Sequence, residues 1–598
     1  PTWQITNWLS LRAQLATDIT DTKQTLEYET ERPNSLYDPS GSFQSINRRY
    51  DIVYGDVMLN FNYNIRRFDI AATLGWTGRY ENMNNMRVST NGGLVTENWF
   101  DLNASRYTAS STLQRMELLK TGYMGTLSLG WDNYLFLELT GRQERSSTLK
   151  DKSFFYPSAN LSFLFSNAFR MPAWWNHGKL RLSYGIVGNA PETYAANIIY
   201  EQGSDNGFTW NYVPSSWGNA NIRPEKKYEY EIGLESKFLN NRLGFDVSYY
   251  NNRVKDQILS TPQPSSSGVK YVLMNVGEVA NEGWDISVSA TPVLTKNFRW
   301  DLTANYGIYR NKVVKLAEGV PYLEISNIGG GGAKIQAVEG RPMGDIYVQM
   351  PQMNENGDYL VSDKGLYLNQ TDLQRVGNIN PDGVGGLFSS FSYKNIFLDF
   401  SIDFRIGGDV INEMYQYSTA SGLTPESLQY RDTEHGGLSY YYPGNNNASG
   451  TPVQVDPSSG AGPNGEIIYH DGIILPGVVA STGEKNTRII PAGYYYNQTY
   501  NWGTQPEQLT YRHSVFDNTY VKLRELTIGY QFPEKLTAKL GMTRLSVSIF
   551  GRNLFYFYKA LKNYDAESSV GTSWASQAVV GGSTTATRNF GVSLRASF

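Results

Sequence analysis

The sequence contains no cysteine and only four histidines among its 598 residues. A chain without thiols forms neither disulfides nor thiolate metal sites. No G-x-S-x-G nucleophile motif stands in a strand–turn–helix context. The histidines do not show the spacing of a metal site; they are His177, His435, His470 and His513. We therefore expect no metal or other cofactor and no enzymatic activity.

Charge and long apolar runs are also scarce. Only 18% of the residues are charged, and 52 basic residues stand against 56 acidic ones for a net charge of -4. Such a chain lacks the excess of positive charge that binds nucleic acid. No apolar run approaches the roughly 18 residues of a membrane-spanning helix. These absences argue against a nucleic-acid partner and against a helical membrane protein.

The dominant pattern in the sequence is alternation of apolar and polar residues. In residues 57–64 and 396–405, apolar side chains occupy every second position, and most positions between them are Asn, Ser, Asp or Arg. This period of two predicts strands with one apolar face and one wet face. About sixteen segments show it, near residues 7–20, 51–64, 68–81, 119–131, 134–146, 154–166, 178–190, 226–238, 242–256, 282–293, 298–313, 385–393, 396–410, 519–532, 543–556 and 588–598.

The connections between these segments alternate in length. Short ones lie at residues 132–133, 239–242, 294–297 and 394–395, and long ones near 82–118, 191–225, 257–281, 314–384 and 411–518. Short periplasmic turns and long extracellular loops are typical of outer-membrane barrels. The sequence therefore predicts an all-β fold, a transmembrane antiparallel β-barrel. A short helix is predicted at residues 533–541, on the periplasmic rim.

The last nine residues alternate strictly and end in an aromatic side chain. This resembles the signal that outer-membrane barrels present to the barrel assembly machinery, so that machinery and outer-membrane lipid are expected partners. An ordinary amphipathic edge strand is the alternative. The residues assigned to the signal are Phe590, Val592, Leu594 and Phe598.

Several stretches beyond the alternation resemble the SusC-like (SusC/RagA) family of TonB-dependent outer-membrane transporters from Bacteroidota. They occur in order along most of the chain, at residues 155–158, 180–189, 275–279, 281–284, 309–314, 377–381, 520–530, 551–555 and 564–565. The resemblance implies a barrel of about 22 strands. Residues 1–598 then form the C-terminal barrel portion, without the N-terminal plug and the first strands.

The resemblance also implies a function. It implies active import of oligomeric nutrients, glycans or peptides, together with a SusD-like surface lipoprotein and the TonB–ExbB–ExbD system acting through the plug. A dimer of the transporter–lipoprotein pair and a location in a Gram-negative, Bacteroidota-like outer membrane are implied as well. Two alternatives remain open: a barrel that serves as a structural or accessory subunit of a larger outer-membrane complex, and a passive porin-like channel.

Aromatic residues in the long connections are the candidate ligand-binding residues. Flat rings bind sugar and peptide faces, and neighbouring amides supply directional hydrogen bonds. The alternative is that the rings pack the loops against each other or against a partner. The candidates are Trp210, Tyr212, Trp217, Tyr440, Tyr441, Tyr442, Tyr494, Tyr495, Tyr496 and Trp502. The glycines at 329–332 and the turn at 354–358 are interpreted as a flexible segment and a tight turn rather than nucleotide or calcium sites.

Overall fold

The computed structural model describes residues 1–30, 40–150, 153–205, 208–501, 511–582 and 586–598. The chain divides into two compact units, one of residues 1–237 with 248–280 and one of residues 238–247 with 281–598. The largest sheet, called the wall here, comprises 17 strands. Among the described residues, no helix is both long and apolar enough to cross a membrane.

The first unit is built mainly of wall strands. Strands β1 to β8 pair antiparallel with their neighbours in chain order. Its elements are β1 Thr2–Thr6, β2 Leu9–Tyr28, β3 Ser42–Ile65, β4 Phe68–Leu94, β5 Ser105–Trp131, β6 Leu135–Ser146, β7 Ser153–Phe163, α1 Phe165–Ala168, β8 Trp175–Asn189, β9 Glu201–Asp205, β10 Phe208–Tyr212, β11 Ser216–Trp217, β12 Glu225–Phe238, β13 Leu243–Lys255, β14 Ile258–Pro262 and β15 Tyr271–Asn275.

Tight turns join the wall strands at one rim. Between β5 and β6, Asp132 and Asn133 both adopt positive φ angles, 52° and 57°. Asn and Asp tolerate this left-handed conformation better than other non-glycine residues, and two such residues in succession form the hairpin turn that matches the twist of a sheet. The short connection predicted at this position is confirmed.

One face of the β1–β8 wall is apolar over a limited height. Along β4 this face runs through Ile70, Ala72, Leu74 and Trp76, between Phe68 and Tyr80. That stretch is about 40 Å long at about 3.4 Å per residue. A tilt of about 45° reduces it to roughly 28 Å, close to the apolar band of about 25 Å on an outer-membrane barrel. The neighbouring strands continue this band in register, for example through Leu9, Phe61, Ala72, Leu127 and Leu139.

Aromatic rings lie at the end of this band nearest the tight turns. Trp131 is 6.4 Å from Phe68 and 5.3 Å from Tyr134, measured between ring centroids. Tyr134 in turn lies 6.2 Å from Phe163. Amphipathic aromatic rings favour the boundary between hydrocarbon and water, and they form girdles at both rims of membrane barrels. The opposite face of the same strands carries ion pairs such as Arg12–Asp56, 3.2 Å between nitrogen and oxygen.

Strands β2 to β5 extend well past the apolar band. On the same face, the register row above the band joins Ile19, Asp51, Asn82 and Glu117. The ladder between β4 and β5 nevertheless continues up to the pair Leu94 and Ser105. The prediction of a long connection at residues 82–118 is therefore wrong. Alternation ends there because both faces meet water, although the main-chain hydrogen bonds continue.

The second unit combines wall strands with folded insertions. Strands β17, β23, β24, β32, β33 and β35 pair antiparallel in that order. Its elements are β16 Glu278–Leu294, β17 Phe298–Lys315, β18 Tyr322–Ile328, β19 Ala333–Val338, β20 Asp345–Val348, β21 Leu360–Val361, β22 Gln374–Asn378, β23 Gly383–Tyr393, β24 Ile396–Ile406, β25 Asp409–Asn412, α2 Glu413–Ala420, β26 Leu438–Tyr441, α3 Pro443–Asn446, β27 Val453–Gln454, β28 Tyr469–Ile473, β29 Val478–Val479, β30 Ile490–Pro491, α4 Ala492–Tyr500, β31 Val515–Asp517, β32 Tyr520–Gln531, α5 Glu534–Thr537, β33 Arg544–Lys559, β34 Val579–Val580 and β35 Asn589–Ser597.

The long connections of both units contain regular structure. In the second unit, residues 314–384 form the small sheet of β18, β19, β20 and β22, and residues 411–518 contain short sheets and helices α2 to α4. Their buried core includes Ile335, Ile346, Ile411, Tyr511 and Val579. The sequence did not predict these strands because they are short and pair with distant segments, which leaves little local periodicity.

Three further predictions can be compared with the structure. The wall has 17 strands against the about sixteen expected, and β1 was not recognised as a separate strand. The predicted helix at 533–541 is confirmed as α5 followed by a 3₁₀ turn, Ala538–Leu540, which ends at Gly541 with a φ of 70°. Strand β35 has the expected alternation, with Phe590, Val592 and Leu594 exposed by 74%, 71% and 70% on one face.

Candidate functional site

Trp210 and Tyr212 form an exposed aromatic pair on the β9–β10 hairpin. They stand two residues apart, so both side chains lie on the same face of the strand, and they are 48% and 43% exposed. The Tyr212 hydroxyl donates to Glu201 Oε2 at 2.8 Å. Trp217 on β11 is half-buried and packs edge-to-face on Tyr200 at 5.9 Å. The exposed rings of Trp210 and Tyr212 remain predicted ligand-binding residues.

The second predicted group belongs to the interior of a loop sheet. Tyr440 on β26 is buried, stacks on Tyr469 at 5.5 Å and meets Tyr442 edge-to-face at 5.5 Å. Its hydroxyl donates to Asp471 Oδ1 at 3.1 Å. Burial, and the neighbouring Asp471 carboxylate, raise the pKa of Tyr440 well above its ordinary value. Tyr441 and Tyr442 are half-buried. Packing, rather than ligand contact, accounts for the position of Tyr440.

The third group lies on helix α4 of the same folded connection. Tyr496 is buried, and its hydroxyl donates to the carbonyl of Glu426 at 2.8 Å. The Arg431 guanidinium lies 5.5 Å from the centroid of its ring. Burial raises the pKa of Tyr496 to about 12. Tyr494 and Tyr495 pack on a cluster of buried aliphatic residues, Leu366, Ile473, Leu475 and Ile490. Trp502 lies outside the described residues.

A charge network on the wall of the second unit was not predicted as a site. Arg524 on β32 donates to Asp403 on β24, with Nε 3.0 Å from Oδ1. Its Nη1 also donates to Asn553 Oδ1 and to Glu567 Oε2, each at 2.9 Å. These side chains come from strands β24, β32 and β33 and from the connection after β33. The sequence stretches 520–530 and 551–555 thus meet at one guanidinium, and Glu567, which follows the stretch 564–565, joins them.

Lys522 extends the network toward the connection after β33. It is only 2% exposed, and its Nζ lies 2.5 Å from Glu567 Oε2 and 4.8 Å from the centre of the Tyr556 ring. The Tyr556 hydroxyl donates to Asp565 Oδ1 at 2.6 Å. Burial alone would raise the pKa of Glu567, but hydrogen bonds from Arg524 and Lys522 lower it below its ordinary value. Glu567 is therefore an ionised anchor for this connection.

A second polar junction includes Asn378, which lies in the stretch 377–381. The carboxylate of Asp345 is fully buried and accepts from Arg341 at 2.7 Å, Arg375 at 2.8 Å and Asn378 at 2.9 Å. A buried carboxylate with three donors is satisfied, so this junction stabilises the small sheet. Neither junction has a local sequence signal, because partners such as Arg341 and Arg375, or Asp403 and Arg524, are far apart in the chain.

The turn at 354–358 and the glycine segment at 329–332 were weighed above against calcium and nucleotide sites. Residues 354–358 form a tight turn, as predicted, in which Asn354 Oδ1 accepts from the backbone N–H groups of Asn356 and Asp358 at 3.0 and 2.9 Å. The predicted flexible glycine segment includes a 3₁₀ turn, Gly329–Gly331. Within the part of the chain that the structure describes, no three His, Asp or Glu side chains are placed to hold a metal ion together.

Comparison with known proteins identifies similar chains. The sequence model described as "TonB dependent receptor-like, beta-barrel" matches residues 2–346. TonB-dependent receptor P3 of Formosa agariphila is 23% identical over 483 residues, which cover 75% of this chain and 42% of that protein. TonB-dependent receptor SusC of Bacteroides thetaiotaomicron is 27% identical over 247 residues, covering 38% of this chain and 24% of that protein. The chain thus spans less than half the length of these relatives.

The fold is similar to that of a solved transporter. The structure of the RagAB peptide transporter matches all of this chain and 61% of that chain, with a TM-score of 0.73 and 18% sequence identity. At this identity the match establishes the barrel fold and nothing about the cargo. The RagAB peptide importer in its open-open state gives a TM-score of 0.70 over the same 100% of the chain.

Proposed function

Because the chain belongs to the TonB-dependent receptor β-barrel family, we propose that it is the barrel portion of an active importer of oligomeric nutrients, glycans or peptides. The observation that carries this proposal is the family match over residues 2–346 combined with the fold match over the whole chain. The apolar band on the β1–β8 wall supports it, because its height suits one crossing of the hydrocarbon core. As a member of this family, the chain is an outer-membrane protein.

The proposed machine includes parts that this chain does not supply. The pairings of the end strands join β1 to β2 and β35 to β33. An open strand edge exposes unsatisfied N–H and C=O groups, which hydrocarbon does not tolerate. We propose that further strands complete a barrel of about 22 strands, that a plug occupies it, and that the TonB–ExbB–ExbD system acts on that plug.

The proposed partners follow from the resemblance to SusC-like proteins. They are a SusD-like surface lipoprotein, with dimerisation of the transporter–lipoprotein pair, and a Gram-negative, Bacteroidota-like envelope. Barrel assembly machinery would recognise β35 through Phe590, Val592, Leu594 and Phe598, and outer-membrane lipid would contact the apolar band. In this proposal the protein binds and moves its cargo without changing it chemically, so no enzymatic activity is needed.

Trp210 and Tyr212 are the residues that we propose contact cargo. Both rings are exposed on one face, whereas Tyr440 and Tyr496 are buried and contribute to packing. The matched variants are Trp210→Ala and Tyr496→Phe. The first should weaken cargo binding about tenfold, since an aromatic contact contributes about 1–3 kcal/mol. The second should leave cargo binding unchanged.

The test of the proposed function is uptake in cells that produce the full-length protein. Fluorescent oligopeptides and oligosaccharides are supplied to a parent strain, to a strain lacking TonB and to a strain lacking the co-purifying lipoprotein. Uptake that disappears without TonB supports active import. Uptake that persists without TonB would establish a passive channel. No uptake of any oligomer, with the protein retained in a stable outer-membrane assembly, would establish an accessory subunit.

A further inference from the structure

An open cavity of about 260 Å³ lies beside the Arg524 network in the second unit. It forms where Lys522 of β32 and residues 553–559 of β33 meet the long connection after β33, at residues 563–565, 586 and 588. Its charged lining comprises Lys522, Lys559, Asp565 and Arg588, and polar groups of Asn553, Tyr556 and Asn563 complete it. Among the described residues, this cavity is lined by none of the predicted aromatic candidates.

The three cations of the cavity differ in whether a neighbouring carboxylate neutralises their charge. Lys522 is paired with Glu567, 2.5 Å away, which neutralises its charge. Lys559 instead donates from Nζ to the carbonyl oxygen of Tyr564 at 2.5 Å, and it forms no ion pair within the described residues. Arg588 is exposed and, in the same described part of the chain, has no carboxylate within ion-pair distance.

The single acid of the cavity lining is already engaged. Asp565 accepts the Tyr556 hydroxyl at 2.6 Å and the backbone N–H of Glu567 at 3.0 Å. Because Glu567 already pairs with Lys522, the remaining lining cations, Lys559 and Arg588, stand against Asp565 alone and leave one positive charge in excess. Low-dielectric walls concentrate the field of such a charge excess in a cleft.

One aromatic ring holds both lysines in place. The Nζ atoms of Lys522 and Lys559 lie 4.8 and 5.0 Å from the centre of the Tyr556 ring. Cation–π attraction to this ring fixes two ammonium groups that would otherwise repel each other. The positive site is therefore preorganised, and binding an anionic ligand costs the protein little side-chain entropy.

We propose that this cavity binds a carboxylate group carried by the oligomeric cargo, held between the Lys559 ammonium and the Arg588 guanidinium. This inference rests on the proposed import function and specifies the chemistry of its cargo. A guanidinium binds a carboxylate through two parallel hydrogen bonds, and a lysine adds a point charge. The carboxylate belongs to a glutamate-rich peptide or to a uronic-acid glycan, and both present the same group.

The test uses the full-length transporter, purified with its native partners in detergent, and measures binding calorimetrically. The probes are an alternating Ser–Glu decapeptide, the matching Ser–Gln decapeptide, an oligogalacturonate and its methyl ester. We expect the parent to bind at least one acid probe about tenfold more tightly than its neutral match. Whichever acid probe is preferred identifies the source of the carboxylate.

The variants are Lys559→Gln, Arg588→Gln and the double variant, with Arg552→Gln as control. Arg552 stands on the same strand as Lys559, but Glu525 already pairs with it at 2.9 Å. We expect each cavity variant to lower affinity for the acid probe about tenfold, to flatten its salt dependence and to spare the neutral probe. The control variant should bind like the parent.

Two results would overturn the inference. One is equal binding of acid and neutral probes by the parent, and the other is undiminished acid binding by the double variant. In both cases TonB-dependent uptake of neutral oligomers would remain, so the proposed import function would stand. Loss of uptake of every oligomer in the parent would instead overturn the proposed function itself.

Discussion

The α-carbon of Gly529 on β32 lies directly beneath the ring of Phe397, its register partner on β24. A β-carbon placed at position 529 would lie 2.1 Å from Phe397 Cζ, far inside van der Waals contact. The same arrangement recurs at Gly591 beneath Phe550, where the distance is 2.5 Å. Glycine without a side chain lets an aromatic ring cover the bare backbone, and the ring restores the packing that glycine lacks.

We expect Gly529→Ala to destabilise the second unit by about 1–3 kcal/mol, because the added methyl group forces the Phe397 ring out of its position. The measurement is denaturant unfolding in detergent, followed by tryptophan fluorescence. Gly460→Ala is the control, since no atom lies within 4 Å of a β-carbon at that position. Equal stability of the two variants would contradict the packing argument.

The apolar face of β35 provides a second prediction. Val592→Arg places a charge on the face shared with Phe590 and Leu594, and a charge in the middle of the lipid-facing surface costs about 2–4 kcal/mol. Ser593→Arg introduces the same side chain on the opposite face of the strand, where water is expected. The amount of folded protein in the outer membrane, measured by heat-modifiable migration in gels, should fall for the first variant and remain near the parent level for the second.

The third prediction concerns Arg524, which joins Asp403 on the wall to Glu567 in the connection after β33. Arg524→Gln should release this connection and lower stability by about 1–2 kcal/mol, a value reduced for the partial exposure of all three groups. Hydrogen exchange of residues 561–582 should accelerate. Arg299→Gln removes an exposed pair with Asp301 on one strand, and its exchange pattern should match that of the parent.

His513 makes the folded connection between β24 and β32 sensitive to acid. Burial, assisted by the positive charge of Arg512, lowers the pKa of His513 below its ordinary value of 6.5. The unfolded segment therefore binds a proton more readily than the folded one, so the stability contributed by neutral His513 is complete above about pH 6.5 and declines as the pH falls through it.

Hydrogen exchange of helix α4, which contacts His513 through Tyr500 at 5.8 Å, is expected to accelerate between pH 7 and pH 5. His513→Gln should reduce this pH dependence, whereas His435→Gln, an exposed histidine near Asp432, should retain it. The half-buried acids Asp409 and Glu413 act with the opposite sign. Partial burial raises the pKa of each, so their contribution to stability falls as the pH rises above their ordinary pKa values near 4. Acid sensitivity that persists in His513→Gln would contradict the assignment.

The wall could be predicted from the sequence wherever its two faces meet different media. Residues 396–405 alternate because Phe400 and Ile402 face one side while Asp399 and Asp403 face the other. The turn at Asp132–Asn133 could be predicted because few residue types adopt two successive positive φ angles. Both features depend on residues that are adjacent in the chain, so the sequence alone is enough to predict them.

The distal strands and the charge network depend on contacts that are distant in sequence. Residues 82–94 have no alternation to mark them as a strand, and only the ladder to β5 holds them extended. Arg524 meets Asp403, which precedes it by 121 residues, and Glu567, which follows it by 43. Tyr440 and Tyr496 looked like ligand-binding residues because an aromatic side chain in a connection has the same sequence signature whether it is exposed or buried.

The register row of Asp51, Asn82 and Glu117 marks a change of solvent along the strands. Strands β3, β4 and β5 pass through it without a break in their ladders, so a single strand has two solvents along its length. Below the row, an opened hydrogen bond would face hydrocarbon, and above it the same bond would open into water. Amide protons of β4 should therefore exchange with deuterium at rates that step upward at Asn82, which would locate the outer surface of the membrane to within a residue or two.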